Sequence, residues 1–352
     1  MTERIDVGVM GATGTVGGSL LELLHGHPWF RVAEIGASPA STGQRLRDVL
    51  VARDDAAAAL AGEVLELRLK GPDEKWRSPI VFSALPSRVA GPAEEALASD
   101  GHLVVSNAAS HRMDADVPLV IPEVNPDHLA LLQRQRDRWR GALVTNPNCS
   151  AVGLALALAP LQRRFGIERV SVATLQALSG AGRRGPSAAD MLDNVLPHIA
   201  GEEDKLAREP QKILGELRGG DVTPAAFPVS AQVHRVNVTH GHLLAVSAKL
   251  SAAAGVDAVR RAFADFAGAL IEERLPSAPD RPLAILDGVA RPQPRIDRDR
   301  GRGMTVSIGR VRACEVFDVK FSVLVHNLVR GAAGAALLNL ELCHVCGQTR
   351  RS

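Results

Sequence analysis

The stretch that decides the fold lies at residues 5–24 and reads IDVGVMGATGTVGGSLLELL. Its first six residues form a short apolar run typical of a buried strand, and its last six predict a helix. Between them three glycines, Gly11, Gly14 and Gly17, stand three residues apart. Glycines at this spacing permit a tight turn and let the backbone approach a pyrophosphate at the positive end of the helix. Because the turn connects a strand to a helix, the stretch predicts a dinucleotide-binding unit.

The alternation of strand and helix continues to residue 145. Helix-compatible stretches lie at Asp54–Leu60 and Pro92–Ala98. Strand-like runs flank them at Arg31–Ala37, Pro79–Leu85, His102–Ser106 and Ala142–Thr145. Strands that alternate with helices predict a parallel, doubly wound sheet, so we expect an α/β domain of the Rossmann type.

The sequence pattern changes after Cys149. Longer runs of alternating apolar and polar residues lie at Arg169–Gln176, Leu243–Leu250, Met304–Val311 and Phe317–Val325. Their period of two predicts antiparallel strands with one buried face. Helical stretches lie between them at Ser187–Ile199, Glu202–Leu217 and Val256–Leu275. We therefore expect a second domain of the α+β class.

The length of 352 residues fits two domains, since one domain usually has about 100–200 residues. The tail, Gly331–Cys346, is apolar at helical spacing, and we expect it to pack on the first domain. We divide the chain into a first domain of residues 1–148 plus 331–352 and a second, catalytic and dimerisation domain of residues 149–330.

The composition limits the class of protein. Lysine and arginine number 41 against 39 acidic residues, so a net charge of +2 gives no argument for a nucleic-acid or membrane partner. No uninterrupted apolar run approaches the roughly 18–20 residues that a membrane helix needs. Four cysteines are too few for a disulfide framework in a chain of this length, which favours a reducing cytoplasm. We expect a cytoplasmic enzyme that acts on a small molecule.

The end of the second strand indicates which nicotinamide cofactor is bound. An NAD site usually has an acidic residue there to hold the ribose 2′-hydroxyl. In this chain Glu34 lies in mid-strand, and the strand is followed by Ser38, Ser41 and Arg45. Two hydroxyls and a cation without a carboxylate suit a 2′-phosphate. The sequence therefore predicts NADP as the cofactor, with Ser38 and Ser41 near its phosphate.

The strongest local signal for chemistry is Asn146–Ser150, which reads NPNCS. It follows a strand and precedes a helix of small residues, so Cys149 stands at a helix N-terminus. The positive end of a helix lowers the pKa of a thiol and favours the thiolate. This context predicts a nucleophilic cysteine.

The remaining cysteines, Cys314, Cys343 and Cys346, have no comparable context, and we interpret them as structural. Cys343 and Cys346 form a single pair in a predicted helix, without the second pair that a zinc site needs. A nucleophilic cysteine also needs a base. His242 and its neighbour His240 are two candidates among eleven histidines, and composition does not choose between them.

Several motifs in a fixed order run through almost the whole chain, at Gly11–Gly17, Ser83–Ser87, Ser106–Met113, Ile121–Asn125, Asn146–Ser150, Gln176–Gly182, Arg291–Arg295 and His326–Gly334. Together they resemble the aspartate-β-semialdehyde dehydrogenases, in the branch associated with archaea and fungi. The resemblance implies a reversible reaction in which L-aspartate 4-semialdehyde, phosphate and NADP give β-aspartyl phosphate and NADPH. Such an enzyme would serve lysine, threonine and methionine biosynthesis. It would form a homodimer or a homotetramer.

The resemblance also implies roles for single residues. Cys149 would form a thioester, and His242 rather than His240 would be the acid/base. The substrate contacts would be Arg235 on the α-carboxylate, Glu209 on the ammonium, Lys212 and Arg112 on the phosphate, and Gln176 on the acyl group. The cofactor contacts would be Gly11, Thr13, Gly14, Thr15 and Val16 at the pyrophosphate, and Ser179, Gly180 and Asn327 on the nicotinamide side.

Three features depart from the family pattern. Arg183 and Arg184 follow Gly180–Gly182, where relatives carry an aromatic residue and a proline. Pro210 lies between Glu209 and Lys212, and His240 replaces an acid. We interpret the neighbouring charge run, Glu202–Lys205, as a solvated helix face.

Two other functions stay open at this point. A malonyl-CoA-type reductase would keep the mechanism with CoA as leaving group; Arg183 and Arg184 favour it, and Glu209 argues against it. A non-catalytic NADP-binding paralogue would be expected to lack Cys149, His242 or Arg235. The acetylglutamyl-phosphate reductases are a more distant resemblance.

Overall fold

The structure is a computed structural model that describes residues 4–52, 62–269 and 274–349. The chain divides into two compact units, which we describe separately. The first unit comprises Met1–Pro118, Leu129–Asn146 and Ala336–Ser352, and the second comprises Leu119–His128 and Pro147–Ala335.

A six-stranded parallel sheet forms the centre of the first unit. Its strands are β1 (Ile5–Met10), β2 (Phe30–Gly36), β3 (Leu69–Lys70), β4 (Ile80–Ser83), β5 (Leu103–Ser106) and β6 (Ala142–Thr145). They pair in the order β3-β2-β1-β4-β5-β6, so the chain first builds one side of β1 and then the other. Doubly wound sheets bind ligands where the strand order reverses, at the carboxyl ends of the strands. The predicted Rossmann-type fold is confirmed.

The helices of the described residues follow the same chain order. They are α1 (Thr15–Leu24), α2 (Leu46–Val51), α3 (Ser87–Ser99), α4 (Leu132–Gln135), α5 (Cys149–Phe165), α6 (Ala188–Met191), α7 (Glu202–Ile213), α8 (Val256–Ala264), α9 (Pro294–Asp297) and α10 (Gly334–Val345). Short 3-10 turns lie at Pro39–Ser41, Gly62–Glu66, Pro126–Leu131 and Leu178–Arg184, and a wider helical turn, Val329–Ala333, precedes α10.

The glycine-rich turn between β1 and α1 depends on close backbone packing. Gly11 has a φ of +76°, a conformation that favours glycine, and a Cβ there would lie 2.6 Å from the carbonyl oxygen of Ala84. A Cβ on Gly17 would lie only 2.1 Å from the carbonyl oxygen of Gly11. Gly14 is the N-cap residue of α1 and brings no side chain to it. The first backbone N–H groups of α1 therefore meet no capping side chain from Gly14.

The second unit contains a six-stranded mixed sheet and a small hairpin. The strands are β7 (Ile167–Gln176), β8 (Glu216–Arg218), β9 (Asp221–Thr223), β10 (Val229–Arg235), β11 (His242–Leu250), β12 (Leu283–Leu286), β13 (Val306–Ala313) and β14 (Val319–Val325). The large sheet has the order β10-β7-β11-β14-β13-β12, and β8 pairs with β9. The four strands predicted from a period of two, β7, β11, β13 and β14, pair with one another antiparallel, as expected. Two further pairs, β7 with β10 and β12 with β13, are parallel, and each of them includes a strand that was not predicted. Long crossover connections join these strands, and such connections allow parallel pairing.

Helix α5 packs on the buried face of this sheet. All twelve residues from Ser150 to Leu161 are buried, and they share one core with inward-facing residues of β7, β11 and β14. A helix that is apolar all round is typical of a protein interior. Leu119, Ile121 and Val124 are buried in the same core. For this reason residues 119–128 pack in the second unit, although the expected division left them within residues 1–148.

Four strands of the large sheet have a terminus at the same end of that sheet. Strands β7, β10 and β14 end there, with Gln176, Arg235 and Val325, and β11 begins there with His242. Arg235 is the register partner of Gln176, and His242 is the partner of Val325. Polar side chains that are far apart in sequence are thereby brought to one end of the sheet.

Several predicted helices are shorter than expected. Of Ser187–Ile199 only α6 is helical, because Asp193 takes a positive φ of 55° and Leu196 pairs with the backbone of Arg235. The helix predicted over Glu202–Leu217 ends at Ile213, and the one over Val256–Leu275 ends at Ala264. The stretch Asp54–Leu60 lies outside the described residues.

The two adjacent glycines of α1 make a matched test of the turn. We expect Gly17→Ala to lower the melting temperature, because overpacking costs about 1–3 kcal/mol. A Cβ on Gly18 would meet nothing within 4 Å, so Gly18→Ala should be neutral or stabilise by up to about 1 kcal/mol. Differential scanning calorimetry compares the two variants. Equal melting temperatures for both would contradict the close packing at Gly17.

Candidate active site

Cys149 is the first residue of α5, as the sequence predicts. The side chain of the preceding residue, Asn148, caps the helix: its Oδ1 accepts hydrogen bonds from the backbone N–H groups of Ser150 and Ala151, at 2.9 and 3.2 Å. Cys149 is half-buried and is a free thiol. Its sulfur therefore lies at the positive end of a long buried helix, which favours the thiolate.

His242 lies against this sulfur, with 3.2 Å between its Nε2 and Cys149 Sγ. The backbone N–H of Ala177 donates to the other ring nitrogen, Nδ1, at 3.0 Å. Because Nδ1 is an acceptor, the neutral ring carries its proton on Nε2 and directs it at the sulfur. Burial, followed by the charges of Arg235 and His326, lowers the pKa of His242 to about 3. His242 is thus a neutral hydrogen-bond donor at physiological pH.

Arg235 supplies positive charge beside the pair. Its Nη1 donates to the carbonyl oxygen of Ala177 at 2.7 Å, and its charge interacts with that of Cys149. A Cβ on Gly180 would lie 2.9 Å from Arg235 Nη1 and 3.0 Å from His242 Cε1. Only glycine leaves room at position 180 for both side chains. The structure therefore brings together Cys149, His242, Arg235 and Gly180.

Glu209 and Lys212 are buried on one face of α7, with 2% and 5% exposure. A solvated pair on the helix surface is therefore excluded. Glu209 Oε2 accepts a hydrogen bond from the backbone N–H of Asn148 at 2.6 Å. Pro210 lies inside α7, but the last turn of the helix continues past it. The N–H of Leu214 donates to the carbonyl oxygen of Pro210 at 2.9 Å.

Ser179 and Asn327 form a polar network next to His242. Asn327 Nδ2 donates to Ser179 Oγ at 2.8 Å, and Asn327 Oδ1 accepts from the N–H of Gly241 at 2.8 Å. The ring of His240 contacts Ser179 Oγ at 2.9 Å and stacks on His326. His240 thus belongs to the Ser179 network, whereas His242 faces the sulfur of Cys149.

Glu202 corrects the interpretation of Glu202–Lys205 as a solvated charge run. Glu203 and Asp204 are exposed, but Glu202 is only 8% exposed and its carboxylate accepts hydrogen bonds from Asn148 and Gln176. Asn148, the cap of α5, was likewise not predicted as a functional residue. Both had a signal: Asn is a favoured N-cap residue, and Glu202 lies seven residues before Glu209, on the same helix face.

In the first unit the predicted cofactor residues lie at the carboxyl ends of β1 and β2. Thr13 and Ser41 are buried and Ser38 is exposed. Thr15 and Val16 begin α1. This fits a pyrophosphate, because the glycine turn leaves the helix N-terminus without a capping side chain.

Glu34 is engaged elsewhere in the first unit. It accepts hydrogen bonds from Lys70 Nζ at 2.5 Å and from both N–H and Oγ of Ser78 at 2.6 Å. Burial raises its pKa, but the bonds from Lys70 and Ser78 outweigh this and lower it to about 2. Glu34 is thus engaged by Lys70 and Ser78, which is consistent with the prediction of NADP from the residues after β2. Arg112 is buried, and its Nη2 donates to the carbonyl oxygen of Asn107 at 2.7 Å.

Cys314 is half-buried like Cys149, but it follows strand β13 and does not begin a helix. The other two cysteines differ from Cys149 in burial. Cys343 is buried, which raises the pKa of its thiol, and Cys346 is exposed.

In the described part of the chain no group of three His, Cys, Asp or Glu residues has the arrangement of a metal site. Within the same residues no helix has the length and apolar character needed to span a membrane.

Comparisons with known proteins cover nearly the whole chain. Residues 6–132 match the family model described as the NAD binding domain of semialdehyde dehydrogenase, and residues 158–330 match its dimerisation domain. An aspartate-semialdehyde dehydrogenase of Archaeoglobus fulgidus is 43% identical over 344 residues, which cover 96% of this chain and 98% of that protein. The crystal structure of aspartate semialdehyde dehydrogenase with NADP from Candida albicans matches with a TM-score of 0.87 and 35% identity, covering 97% of this chain and 99% of that one. A malonyl-CoA reductase (NADP) of Metallosphaera sedula is 35% identical over 350 residues and covers 97% of each chain.

The burial of His242 links stability to pH. Its pKa is about 3 in the folded protein and about 6.5 in an unfolded chain, so the unfolded chain binds the proton first as the pH falls. Stability is therefore lost between about pH 6.5 and pH 3. We expect the melting temperature to fall less steeply from pH 7 to pH 4.5 in His242→Asn than in the wild type. His25→Asn, at an exposed histidine, is the control, and equal slopes in all three proteins would contradict the buried neutral state.

A substitution at Gly180 tests how closely Arg235 and His242 pack beside Cys149. We expect Gly180→Ala to displace these side chains and to slow alkylation of Cys149 by iodoacetamide at pH 7 by about tenfold, because a nearby cation favours the thiolate. Peptide mass spectrometry follows Cys149 separately from the exposed Cys346. Gly255→Ala, where a Cβ would meet nothing within 4 Å, should leave the rate unchanged. An unchanged rate in Gly180→Ala would show that the close approach has no influence on the thiolate.

Proposed function

Because the chain belongs to the aspartate-semialdehyde dehydrogenase family, we propose that it is an NADP-dependent, phosphorylating aldehyde dehydrogenase. It interconverts L-aspartate 4-semialdehyde, phosphate and NADP with β-aspartyl phosphate and NADPH. The reaction passes through a thioester on Cys149. The product serves the synthesis of lysine, threonine and methionine.

The observation that carries this proposal is the contact between Cys149 and His242. A thiol at the N-terminus of a buried helix, 3.2 Å from a histidine with a fixed tautomer, has the arrangement of an activated nucleophile. The nearby charge of Arg235 adds to this activation. A non-catalytic paralogue has no need of such an arrangement, so an enzyme is the better interpretation.

The covalent steps follow from this geometry. Cys149 Sγ forms a bond to the aldehyde carbon, and the carbonyl electron pair moves to the oxygen. His242 donates a hydrogen bond from Nε2 to this oxygen as negative charge develops there, which is the form that its acid/base role takes. The hydrogen remains on Nε2 when the oxygen's electron pair re-forms the carbonyl as hydride leaves the carbon. NADP, when bound, supplies the hydride acceptor that oxidises the same carbon to a thioester. Phosphate then attacks the thioester carbonyl, and Cys149 leaves as the thiolate while β-aspartyl phosphate is released.

Buried charged residues of the second unit would recognise the substrate. Arg235 suits the α-carboxylate, because a guanidinium binds a carboxylate through two parallel hydrogen bonds. Glu209 suits the ammonium, Lys212 the phosphate, and Gln176 the acyl oxygen. Their low exposure is consistent with a site that excludes water. Arg112, in the first unit, is the proposed second phosphate ligand.

The proposed NADP contacts rest on the shape of the backbone. Gly11 and Gly14–Val16 would hold the pyrophosphate, with Thr13 beside it, and Ser38 and Ser41 the 2′-phosphate. Ser179, Gly180 and Asn327 would contact the nicotinamide side. The relative of known structure from Candida albicans was determined with NADP, which supports this cofactor.

The family model that matches residues 158–330 carries the description of a dimerisation domain. One face of the second sheet packs on α5, while the opposite face carries the half-exposed Leu175 and the exposed Ala245. We propose that two copies pair through this face, as a homodimer or a homotetramer built from it.

Four free cysteines are consistent with a reducing cytoplasm.

A related acyl-CoA reductase is the second candidate. The 35% identity to the malonyl-CoA reductase of Metallosphaera sedula supports it, as does Arg183, which is exposed and suits a large anionic donor. Glu209 argues against it, because a buried carboxylate suits an ammonium that malonyl-CoA lacks. The identity to the Archaeoglobus fulgidus protein is also higher, at 43%.

Turnover distinguishes these functions. We expect NADPH formation from L-aspartate 4-semialdehyde and NADP to require phosphate and to fall by more than about 10³-fold in Cys149→Ala, as removal of a nucleophile usually does. Cys346→Ala, at an exposed cysteine, should retain full activity. Arg235→Lys should raise KM for the semialdehyde, because lysine cannot form the two parallel bonds. NADPH formation is followed by absorbance at 340 nm for the wild type and the three variants.

Two outcomes would oppose the proposal. If the wild-type protein binds NADP but does not turn over the semialdehyde, the phosphorylating function is wrong. If NADPH is then oxidised with malonyl-CoA, the acyl-CoA reductase is the correct assignment.

A further inference from the structure

Glu202 is a buried acid in a place where acids are usually solvated. It is the first residue of α7, after Gly201, and its neighbours Glu203 and Asp204 are exposed. Glu202 itself is 8% exposed. A carboxylate is seldom buried unless hydrogen bonds and a counter-charge stabilise it, so its partners indicate what it does.

Both oxygens of Glu202 are used. Asn148 Nδ2 donates to Oε1 at 3.0 Å and to Oε2 at 2.9 Å. Gln176 Nε2 donates to Oε2 at 3.3 Å, and Lys205 Nζ donates to Oε1 at 2.8 Å. Although burial raises the pKa of Glu202, these partners outweigh it and lower the pKa, so the carboxylate stays charged.

The contact to Asn148 determines the orientation of that amide. A carboxylate only accepts hydrogen bonds, and the backbone N–H groups of Ser150 and Ala151 only donate them. Asn148 must therefore direct its nitrogen at Glu202 and its oxygen at α5. The reverse orientation would place two acceptors together at one end and donors together at the other. Glu202 thus holds the cap of the helix that begins with Cys149.

Helix α7 fixes Asn148 at a second point as well. Glu209, seven residues after Glu202, accepts the backbone N–H of Asn148 at 2.6 Å. The residue before Cys149 is therefore fixed at its side chain by one carboxylate and at its backbone by another. Helix α7 in turn packs against α5 and β10, so the two carboxylates have a rigid support.

We propose that Glu202 is a positioning residue for the reaction: through Asn148 it fixes the start of α5 and with it the sulfur of Cys149 against His242. Its effect on turnover rests on the proposed function, whereas its effect on the reactivity of Cys149 does not. Glu202 acts through the Asn148 amide and does not contact the reacting atoms.

Glu202→Gln keeps the shape of the side chain and places a second NH2 group beside Asn148 and Gln176, which are both donors. We expect kcat to fall by about 10- to 100-fold, since small displacements of reacting groups have effects of this size. KM for the semialdehyde and for NADP should change by less than about threefold, which is less than about half of the 1.4 kcal/mol of a tenfold change. Asp204→Asn, on the same turn but exposed, is the matched control and should retain wild-type kcat and KM.

A double-mutant cycle separates positioning from general damage. We would measure the rate of alkylation of Cys149 by iodoacetamide, by peptide mass spectrometry, in the wild type, Glu202→Gln, Asn148→Ala and the double variant. If Glu202 acts through Asn148, its substitution changes the rate in the wild type and has no further effect in Asn148→Ala. If Glu202→Gln instead disturbed folding in general, its melting temperature would be lowered, and the two substitutions would change the alkylation rate by factors that multiply in the double variant.

Each result decides one question. Glu202→Gln with wild-type kcat and wild-type alkylation would overturn the positioning role while leaving the proposed function intact. Multiplying effects in the cycle would overturn it as well. If the wild type does not turn over the semialdehyde, the proposed function fails, and the alkylation cycle still decides the role of Glu202.

Discussion

The N-terminus of α5 is the constraint on which the second unit depends. A helix that is buried over twelve consecutive residues cannot shift along its axis without opening the core, so its first residue has a fixed position. The first N–H groups of a helix have no partner within the helix, and in α5 the side chain of Asn148 accepts two of them. The positive end of the helix also attracts negative charge. Cys149, Glu202 and Glu209 all bring negative charge to this end. Arg235 and Lys205 supply positive charge beside them, which makes so many buried charges tolerable.

The sheet supplies the other half of the arrangement. Parallel pairing brings the ends of β7 and β10 together, and antiparallel pairing brings the start of β11 to the same edge. As a result Gln176, Arg235 and His242, which are spread over 67 positions of the chain, meet in one place. In an all-antiparallel sheet with short hairpins, the carboxyl ends of successive strands would lie alternately at opposite ends of the sheet. The long connection that carries α7 between β7 and β10 is therefore what allows both the parallel pair and the support behind α5.

Local patterns of sequence were sufficient for part of this description. The bounds of β1 and β6 are as predicted, and Cys149 begins a helix, because apolar runs between turn residues and a run of small residues after a turn are local signals. The hairpin of β8 and β9 was missed, although Gly219 and Gly220, both with positive φ, are typical of such a turn. Glu202 could not be placed from its neighbours, because its burial depends on Asn148, which is 54 positions away. Long-range partners of this kind leave almost no trace in composition or periodicity.

Strand β10, which ends in Arg235, lies at the edge of its sheet, and this has a consequence for how the site can change. On one side β10 pairs with β7, but on the other it is held at Arg235 by two backbone hydrogen bonds to Leu196, of 2.9 and 3.1 Å. Cys149, in contrast, belongs to a helix that is enclosed by the core. Arg235, which we propose binds the substrate carboxylate, is therefore held on one side by a peripheral segment, while Cys149, the proposed nucleophile, is held by a helix inside the core. Substitutions around residue 196 would thus change the support of Arg235 and leave the start of α5 as it is.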